Sequence, residues 1–163
     1  MKTTAKQSSP RFNAPLMSWD IFISYYHRNL KLGSDVQELD KLAADQNWHL
    51  RWDFAQALLR DNKLVIVTDP ERQILFISSN LWEITGYSAD AVLHQQLKQF
   101  RNKDSDASMI EQMTRAIAAQ QPFETEFTVH SQTGRPFPTR LESFPLMNQQ
   151  GELVNYIIFL KAL

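Results

Sequence analysis

The chain of 163 residues has no cysteine and only four glycines. Without cysteine it can form no disulfide, no thiolate metal site and no cysteine nucleophile. So few glycines leave little room for a glycine-rich loop that cradles phosphate, and no serine stands in a nucleophile-elbow motif. The sequence therefore predicts that the chain is not an enzyme and has no catalytic residue.

The sequence also lacks a strong net charge and a long apolar run. Its formal net charge is −1 at pH 7, and its lysines and arginines are scattered singly, so no basic patch for nucleic acid is expected. No apolar run approaches the ~20 residues that a membrane span needs, and the N-terminus has no apolar signal-peptide core. These absences predict a soluble, cytoplasmic protein that binds neither nucleic acid nor a membrane.

The most informative stretch that is present runs from residue 64 to residue 88. Two short apolar runs, Leu64–Val67 and Ile74–Ile77, flank the polar turn Asp69–Arg72, which predicts a β-hairpin. The Ser78–Asn80 segment then offers side-chain oxygens to the free amides of a helix start. Gly86 can end that helix in a left-handed conformation. A hairpin that leads directly into a short helix is expected.

This order of elements resembles the start of a PAS sensor domain. The residues that carry the resemblance are Asp69, Ile77 or Ser78, Asn80, Gly86, Tyr87 and Ser88. Later segments follow the family's order, with a long helix over 107–119 and strands over 122–130, 135–147 and 152–161. The resemblance implies an α+β PAS fold. Such a fold has a five-stranded antiparallel sheet with short helices on one face, and here an N-terminal helical extension covers the other.

The resemblance divides the chain into three parts. Residues 1–15 are polar and predict a disordered arm, residues 16–60 form the helical extension, and residues 61–163 form the PAS domain. Within the extension, Ser18 as N-cap and Gly33 as a stop predict one helix, and a capping box at Ser34 predicts a second. A third helix is expected around residues 50–60. Apolar stripes mark the first two helices: Trp19, Phe22, Ile23, Tyr26 and Leu30, then Val36, Leu39, Leu42 and Ala43.

The predicted central strands are apolar on both faces, so an element must cover the outer face of the sheet. The N-terminal helices are the natural cover, either from the same chain or from a second copy. In PAS proteins such flanking helices often build the dimer, which implies a homodimer or a separate signalling partner here. The residues assigned to this interface are Trp19, Phe22, Ile23, Tyr26, Leu39, Leu42, Leu153, Ile157 and Phe159.

Alternation along the strands and helical spacing predict an apolar pocket on the other face of the sheet. Side chains either fill this space or enclose a small apolar ligand, for which Thr139 and Tyr156 are the polar handles. The predicted pocket residues are Leu97, Phe100, Ile110, Met113, Ile117, Phe127, Val129, Thr139, Leu141, Tyr156, Ile158 and Leu160.

Within the PAS family, the light-oxygen-voltage (LOV) branch has the most similar layout, and it sets the cofactor prediction. The photoreactive cysteine of that branch falls on Leu97, so a flavin adduct cannot form. Positions that bond the flavin ring fall on Val129, Thr139 and Leu160, which leaves polar ring atoms unpaired at about 1–3 kcal/mol each. The long helix has no histidine for haem, and no histidines stand at a metal-ligand spacing. No cofactor and no metal are predicted.

The predicted function is that of a stand-alone PAS sensory or interaction module in signal transduction. It signals by a change in how the N-terminal helices pack or associate, because no output segment follows the last strand. The alternative function is a small-molecule binding protein that uses the PAS pocket for an apolar ligand.

Overall fold

The structure is a computed structural model that describes residues 17–100 and 107–163. The predicted arm over residues 1–15 lies outside the described residues. In chain order the elements are helix α1 (Met17–Asp45), a π-helical turn (Gln56–Arg60), strands β1 (Leu64–Thr68) and β2 (Ile74–Ile77), helices α2 (Leu81–Thr85) and α3 (Ala89–Val92), a 3-10 turn (Leu97–Phe100), helix α4 (Ala107–Ala118), and strands β3 (Phe123–His130), β4 (Pro136–Met147) and β5 (Leu153–Ala162).

The five strands form one antiparallel sheet in the order β2-β1-β5-β4-β3. This arrangement confirms the predicted α+β fold with a five-stranded antiparallel sheet. Gly134 and Gly151 both adopt a φ of +81° in the two hairpin turns, a conformation that favours glycine. Polar turns and alternating strands therefore fix the register of β3, β4 and β5 locally.

Helix α1 contradicts the prediction of two helices that meet at Gly33 and Ser34, because it runs through both without a break. The local stop signal at Gly33 costs about 0.5–1 kcal/mol in a helix interior. Burial outweighs that cost, since Leu32 is 1% exposed and Leu39 is 0% exposed on the sheet-facing side. Both sides of the glycine are therefore held in one helix by tertiary packing.

Continuity of α1 fixes the phase between its two apolar stripes. At about 100° per residue, the stripe from Trp19 to Leu30 lies on nearly the opposite side of the helix from the stripe that contains Val36 and Leu39. Only one stripe can face the sheet, and the structure buries the second. The side chains of the first stripe stay exposed, from 46% at Ile23 to 64% at Trp19.

The outer face of the sheet is covered by the same chain. Leu32, Leu39 and the segment after α1, including Trp48, Phe54 and Leu58, pack on β1 and β5 in one buried cluster. The Nε1 atom of Trp48 donates a hydrogen bond of 2.8 Å to Oδ1 of the buried Asn155. The third predicted helix, over 50–60, is present as residues 54–60, most of them in the π-helical turn.

The residues that the sequence assigned to an interface therefore divide into two groups. Leu39, Ile157 and Phe159 are buried, and Leu42 packs against them, in the contact between α1 and the sheet of one chain. Leu153 is half-buried at the start of β5. The remaining four, Trp19, Phe22, Ile23 and Tyr26, are exposed on the N-terminal half of α1.

Candidate ligand cavity

The inner face of the sheet and the helices across from it enclose a cavity of about 400 Å³. This volume lies within the range of roughly 300–1,000 Å³ that is usual for small-molecule sites. β1 and β5 supply the floor through Leu64, Ile66 and Ile158, and α4 supplies an opposite wall. Alternation explains the floor, since the residues between these point to the helical cover.

Nine of the twelve predicted pocket residues line this cavity. They are Leu97, Ile110, Met113, Ile117, Phe127, Val129, Leu141, Ile158 and Leu160. The side chain of Phe100 lies outside the described residues. The prediction places Thr139 and Tyr156 at the cavity as well, and these two do not line it.

Both predicted polar handles bond to the backbone instead. The Thr139 hydroxyl donates to the carbonyl oxygen of Phe127 at 2.9 Å. The Tyr156 hydroxyl donates to the carbonyl oxygen of Ile117, at the end of α4, at 3.2 Å. Burial raises the pKa of Tyr156, and the nearby charge of Arg72 opposes this shift. Both side chains therefore hold the cavity walls together.

The polar groups on the cavity wall come from other positions. Gln96 and Lys98 lie on the segment around the 3-10 turn, Thr125 lies on β3, and Arg72 lies in the β1–β2 turn. Thr125 shares a strand face with Phe127 and Val129, so extending the alternation by one position would have found it. Nothing in the local sequence indicates Arg72, because its approach depends on contacts between distant segments.

Those contacts are backbone hydrogen bonds that join β2 and its preceding turn to residues 94–97. The Leu97 amide donates to the Arg72 carbonyl at 3.0 Å, and the Ile74 amide donates to the Gln95 carbonyl at 3.0 Å. The His94 amide donates to the Ile74 carbonyl at 2.9 Å. Arg72 itself adopts a φ of +69° at the end of the turn. The cationic side chains of Arg72 and Lys98 are thereby held at the same cavity.

The Ser78–Asn80 loop differs from its prediction as a set of helix caps. No side chain caps α2. The Ser78 hydroxyl accepts the Val65 amide at 2.9 Å and donates to Oδ1 of Asn80 at 2.6 Å. Nδ2 of Asn80 donates to the carbonyl oxygen of Lys63 at 3.0 Å. Buried polar side chains need hydrogen-bond partners. Here Val65 in β1 and Lys63 just ahead of β1 are those partners, and the amides of α2 are not.

In residues 17–100 and 107–163, no three histidine, aspartate or glutamate side chains group so that they could hold a metal ion. Across the same residues no helix has the length and apolarity for a membrane span.

The curated relatives that this chain matches include a blue-light-activated histidine kinase and a phototropin. A blue-light-activated histidine kinase of Brucella anthropi is 26% identical over 88 residues, which are 54% of this chain and 18% of the kinase. Phototropin-2 of Oryza sativa subsp. japonica is 25% identical over 108 residues, which are 64% of this chain and 12% of phototropin-2. The chain thus spans less than a fifth of the length of these two relatives.

Solved structures with the same fold are LOV domains. The dark structure of the blue-light photoreceptor Aureochrome1 LOV superposes with a TM-score of 0.61 at 20% identity, over 70% of this chain and 85% of that one. An RNA-binding LOV receptor superposes with a TM-score of 0.59 at 21% identity, over 66% of this chain and 31% of the receptor. At these identities the likeness shows the fold.

These comparisons correct the cofactor prediction. The sequence predicted no cofactor and argued specifically against flavin, whereas the LOV relatives and structural neighbours bind flavin. The prediction rested on the matching ring-contact positions, of which Val129 and Leu160 are apolar. Thr125, on the same face of β3, also lines the cavity and adds a polar side chain beside Gln96.

A family model described as PAS domain matches residues 62–161. The matched region begins just before β1 and ends one residue before the end of β5, so it contains all of the sheet except Ala162 and every helix that lines the cavity. Together with the five-stranded sheet and the LOV-like superpositions, this match shows that the chain belongs to the PAS domain family.

Proposed function

We propose that this chain is a non-catalytic sensory PAS module in signal transduction, in which the state of the cavity changes the packing of α1. The alternation along β1 and β5 carries the proposal. Ile66 and Ile158 line the cavity, whereas Val65, Ile157 and Phe159 contact the helical cover. Because side chains one residue apart face the cavity and the cover, a shift of either strand reaches both sides of the sheet.

The proposed occupant of the cavity is a flavin, held without a covalent bond. A flavin has a flat apolar ring system with a polar edge, and its phosphorylated form has an anionic tail. The cavity offers apolar walls to the ring, the Gln96 carboxamide and the Thr125 hydroxyl to polar ring atoms, and Arg72 and Lys98 to an anion. Leu97 stands where the LOV cysteine would be, so this flavin would form no adduct.

An absorption spectrum and a native mass of the purified protein, with added riboflavin phosphate as the probe, test the ligand proposal. We expect a flavin absorption band that stays with the protein through gel filtration. The Leu97→Trp variant fills the cavity and should lose the band, while Leu75→Trp, at a position exposed on β2 and away from the cavity lining, should keep it.

The Leu97→Cys variant provides a second test of the same site. If flavin occupies the cavity, a cysteine at this position should make the absorption band bleach reversibly under blue light. A protein that binds no riboflavin phosphate, or binds it equally well with Leu97→Trp, would contradict the flavin proposal.

We further infer that two copies associate through the exposed stripe of α1. Trp19, Ile23, Tyr26 and Leu30 follow one another at intervals of four, three and four residues, which is the spacing of a heptad seam. Each is a large apolar side chain between 46% and 64% exposed. Water contact over such a stripe is unfavourable, and a contiguous exposed apolar surface of this kind marks an interaction site.

Sedimentation of the full 163-residue protein tests this association. Wild-type protein should sediment as a dimer at micromolar concentration, and Tyr26→Glu should sediment as a monomer because it buries an unpaired charge in the seam. Ser24→Glu introduces the same charge on the same exposed turn but away from the seam, so this control should remain dimeric. A wild-type monomer at all concentrations would contradict the inference.

A further inference from the structure

Asp35 is a buried carboxylate on α1 whose side chain bonds, among the residues that the structure describes, to Ser79 alone. Asp35 is only 7% exposed to solvent. Oδ2 accepts the Ser79 amide at 2.7 Å, and Oδ1 accepts the Ser79 hydroxyl at 2.8 Å. Among the ion pairs of the described residues, none involves Asp35. A buried carboxylate costs stability unless it is hydrogen-bonded, so this contact holds α1 strongly to Ser79.

Ser79 lies in the loop whose neighbours on both sides are fixed to β1. Ser78 accepts the Val65 amide, and Asn80 donates to the Lys63 carbonyl. Hydrogen bonds on both sides of Ser79 therefore restrain the loop. They fix the position from which the Ser79 amide and hydroxyl donate to α1. A displacement of the loop must change the distances from Ser79 to the Asp35 carboxylate.

The same loop is continuous with the cavity wall. Ile77 precedes it, Leu81 and Thr85 follow it on α2, and all three line the cavity. The Leu81 amide donates to the Ser78 carbonyl at 3.1 Å, which couples the first residue of α2 to the loop. Ser79 thus lies two residues from a cavity-lining side chain in each direction along the chain, Ile77 on one side and Leu81 on the other.

Asp35 also stands where α1 passes from its buried half to its exposed half. Every residue from Trp19 to His27 is exposed, and Leu32 is the first buried side chain. Arg28, near the end of the exposed half, contacts the rest of the fold: its Nε donates to Oε2 of Glu83 at 2.7 Å, and its guanidinium also donates to Oδ1 of Asn62. The Glu83 pair also ends on α2, but both contacts of Arg28 are exposed, and such contacts contribute little.

We propose that the Asp35–Ser79 hydrogen bonds are the contact through which a change at the α2 wall of the cavity reaches α1. Displacement of α2 lengthens these bonds, and the buried carboxylate then favours release of the adjacent helical turns from the fold. This proposal rests on the sensory role proposed above, but it requires neither flavin nor a dimer. Its test therefore uses a perturbation of the cavity that needs no ligand.

Hydrogen exchange of the α1 amides around residues 28–38 measures that response. Leu81→Phe places extra volume into the cavity from the α2 wall, and Met113→Phe places similar extra volume there from α4. We expect Leu81→Phe to speed exchange in these amides about fivefold, the effect of about one hydrogen bond of ordinary net strength. Met113→Phe should leave them unchanged.

The link itself is tested by repeating Leu81→Phe in an Asp35→Ala background, which removes both hydrogen bonds to Ser79. Alanine suits a helix interior, so this variant is compatible with folding. In this background Leu81→Phe should no longer change exchange in α1 relative to Asp35→Ala alone. Ser79→Ala removes only the hydroxyl bond and keeps the amide bond, so in that background the response should be smaller than in the wild type. Arg28→Gln, which removes the exposed pair, should preserve the response.

Three results would overturn the proposal. In one, Leu81→Phe leaves α1 exchange unchanged in the wild-type background. In another, Met113→Phe acts as strongly as Leu81→Phe. In the third, the response survives at full size in Asp35→Ala, or it disappears in Arg28→Gln. Failure to bind riboflavin phosphate or to dimerise affects none of these readings, so the two proposals fail separately.

Discussion

The two halves of α1 have similar apolar content but opposite environments. The C-terminal half buries Leu32 and Leu39 against the sheet, whereas the N-terminal half exposes Trp19, Phe22 and Tyr26 to solvent. The difference comes from helix geometry, because one continuous helix sets its two stripes on nearly opposite sides. An apolar stripe therefore does not by itself predict which surface it meets. The angle around the helix axis between that stripe and a buried stripe on the same helix decides whether it faces the fold or the solvent.

The largest expected effect is on the free energy of unfolding, which should fall for a substitution in the buried half of α1 and not for one in the exposed half. Leu39→Ala should lower the free energy of unfolding by about 2–5 kcal/mol, because it leaves a cavity in a fully buried contact. Leu30→Ala is the matched control on the exposed half, and it should change monomer stability by less than about 0.5 kcal/mol. Urea denaturation below the concentration of dimer formation measures both. Equal losses would show that the halves do not differ as described.

A smaller effect tests the continuity of the helix at the junction. Gly33→Ala should raise the free energy of unfolding by about 0.5–1 kcal/mol, because alanine costs less conformational entropy in a helix interior. Apart from the adjacent residues and the backbone of the same helical turns, no described atom lies within 4 Å of the added Cβ, so no tertiary clash opposes the gain. Ala44→Gly, at an exposed position near the end of the same helix, should give a loss instead. A destabilised Gly33→Ala protein would indicate a break at residue 33.

The smallest expected effect is a pH dependence at Asp35. Burial raises the pKa of this carboxyl above its ordinary 3.8, and the two Ser79 hydrogen bonds only partly oppose the shift. The folded chain then binds the proton at a higher pH than the unfolded chain does. The resulting stabilisation is complete below pH 3.8 and is lost as the pH rises through the raised pKa.

Denaturation of wild-type and Asp35→Asn protein at several pH values measures this contribution. The stability of the wild type relative to Asp35→Asn should increase as the pH falls from neutral toward 4. A difference that stays constant over this range would contradict the burial of an ionised Asp35. Gln150→Ala, a change at an exposed position of the β4–β5 turn that adds or removes no titratable group, provides the baseline for the remaining residues.

Local patterns predicted the strands well. β2 begins and ends at the predicted residues, and β3, β4 and β5 begin within one residue of their predicted starts. Alternation and turn residues such as Gly134 and Gly151 contain this information within a few positions. The same alternation predicted most of the apolar cavity wall.

Features that depend on distant partners were not predictable in this way. The prediction that the helix ends at Gly33 was wrong, because Leu32 and Leu39, before and after the glycine, both pack against the sheet. Ser78 and Asn80 were read as caps because their partners, Val65 and Lys63, lie more than ten positions earlier in the chain. Arg72 reaches the cavity only because the β1–β2 turn bonds to Leu97. Each case concerns a contact that a short sequence window does not contain.

Hydrogen exchange of wild-type α1 at two protein concentrations tests the central comparison most directly. If the exposed stripe joins two copies, amides of residues 19–30 should be protected at high concentration and should lose protection on dilution. Amides of residues 32–43 should keep the same protection at both concentrations, because their own chain covers them. Protection of residues 19–30 that does not depend on concentration, or loss of protection in both halves together, would contradict the account.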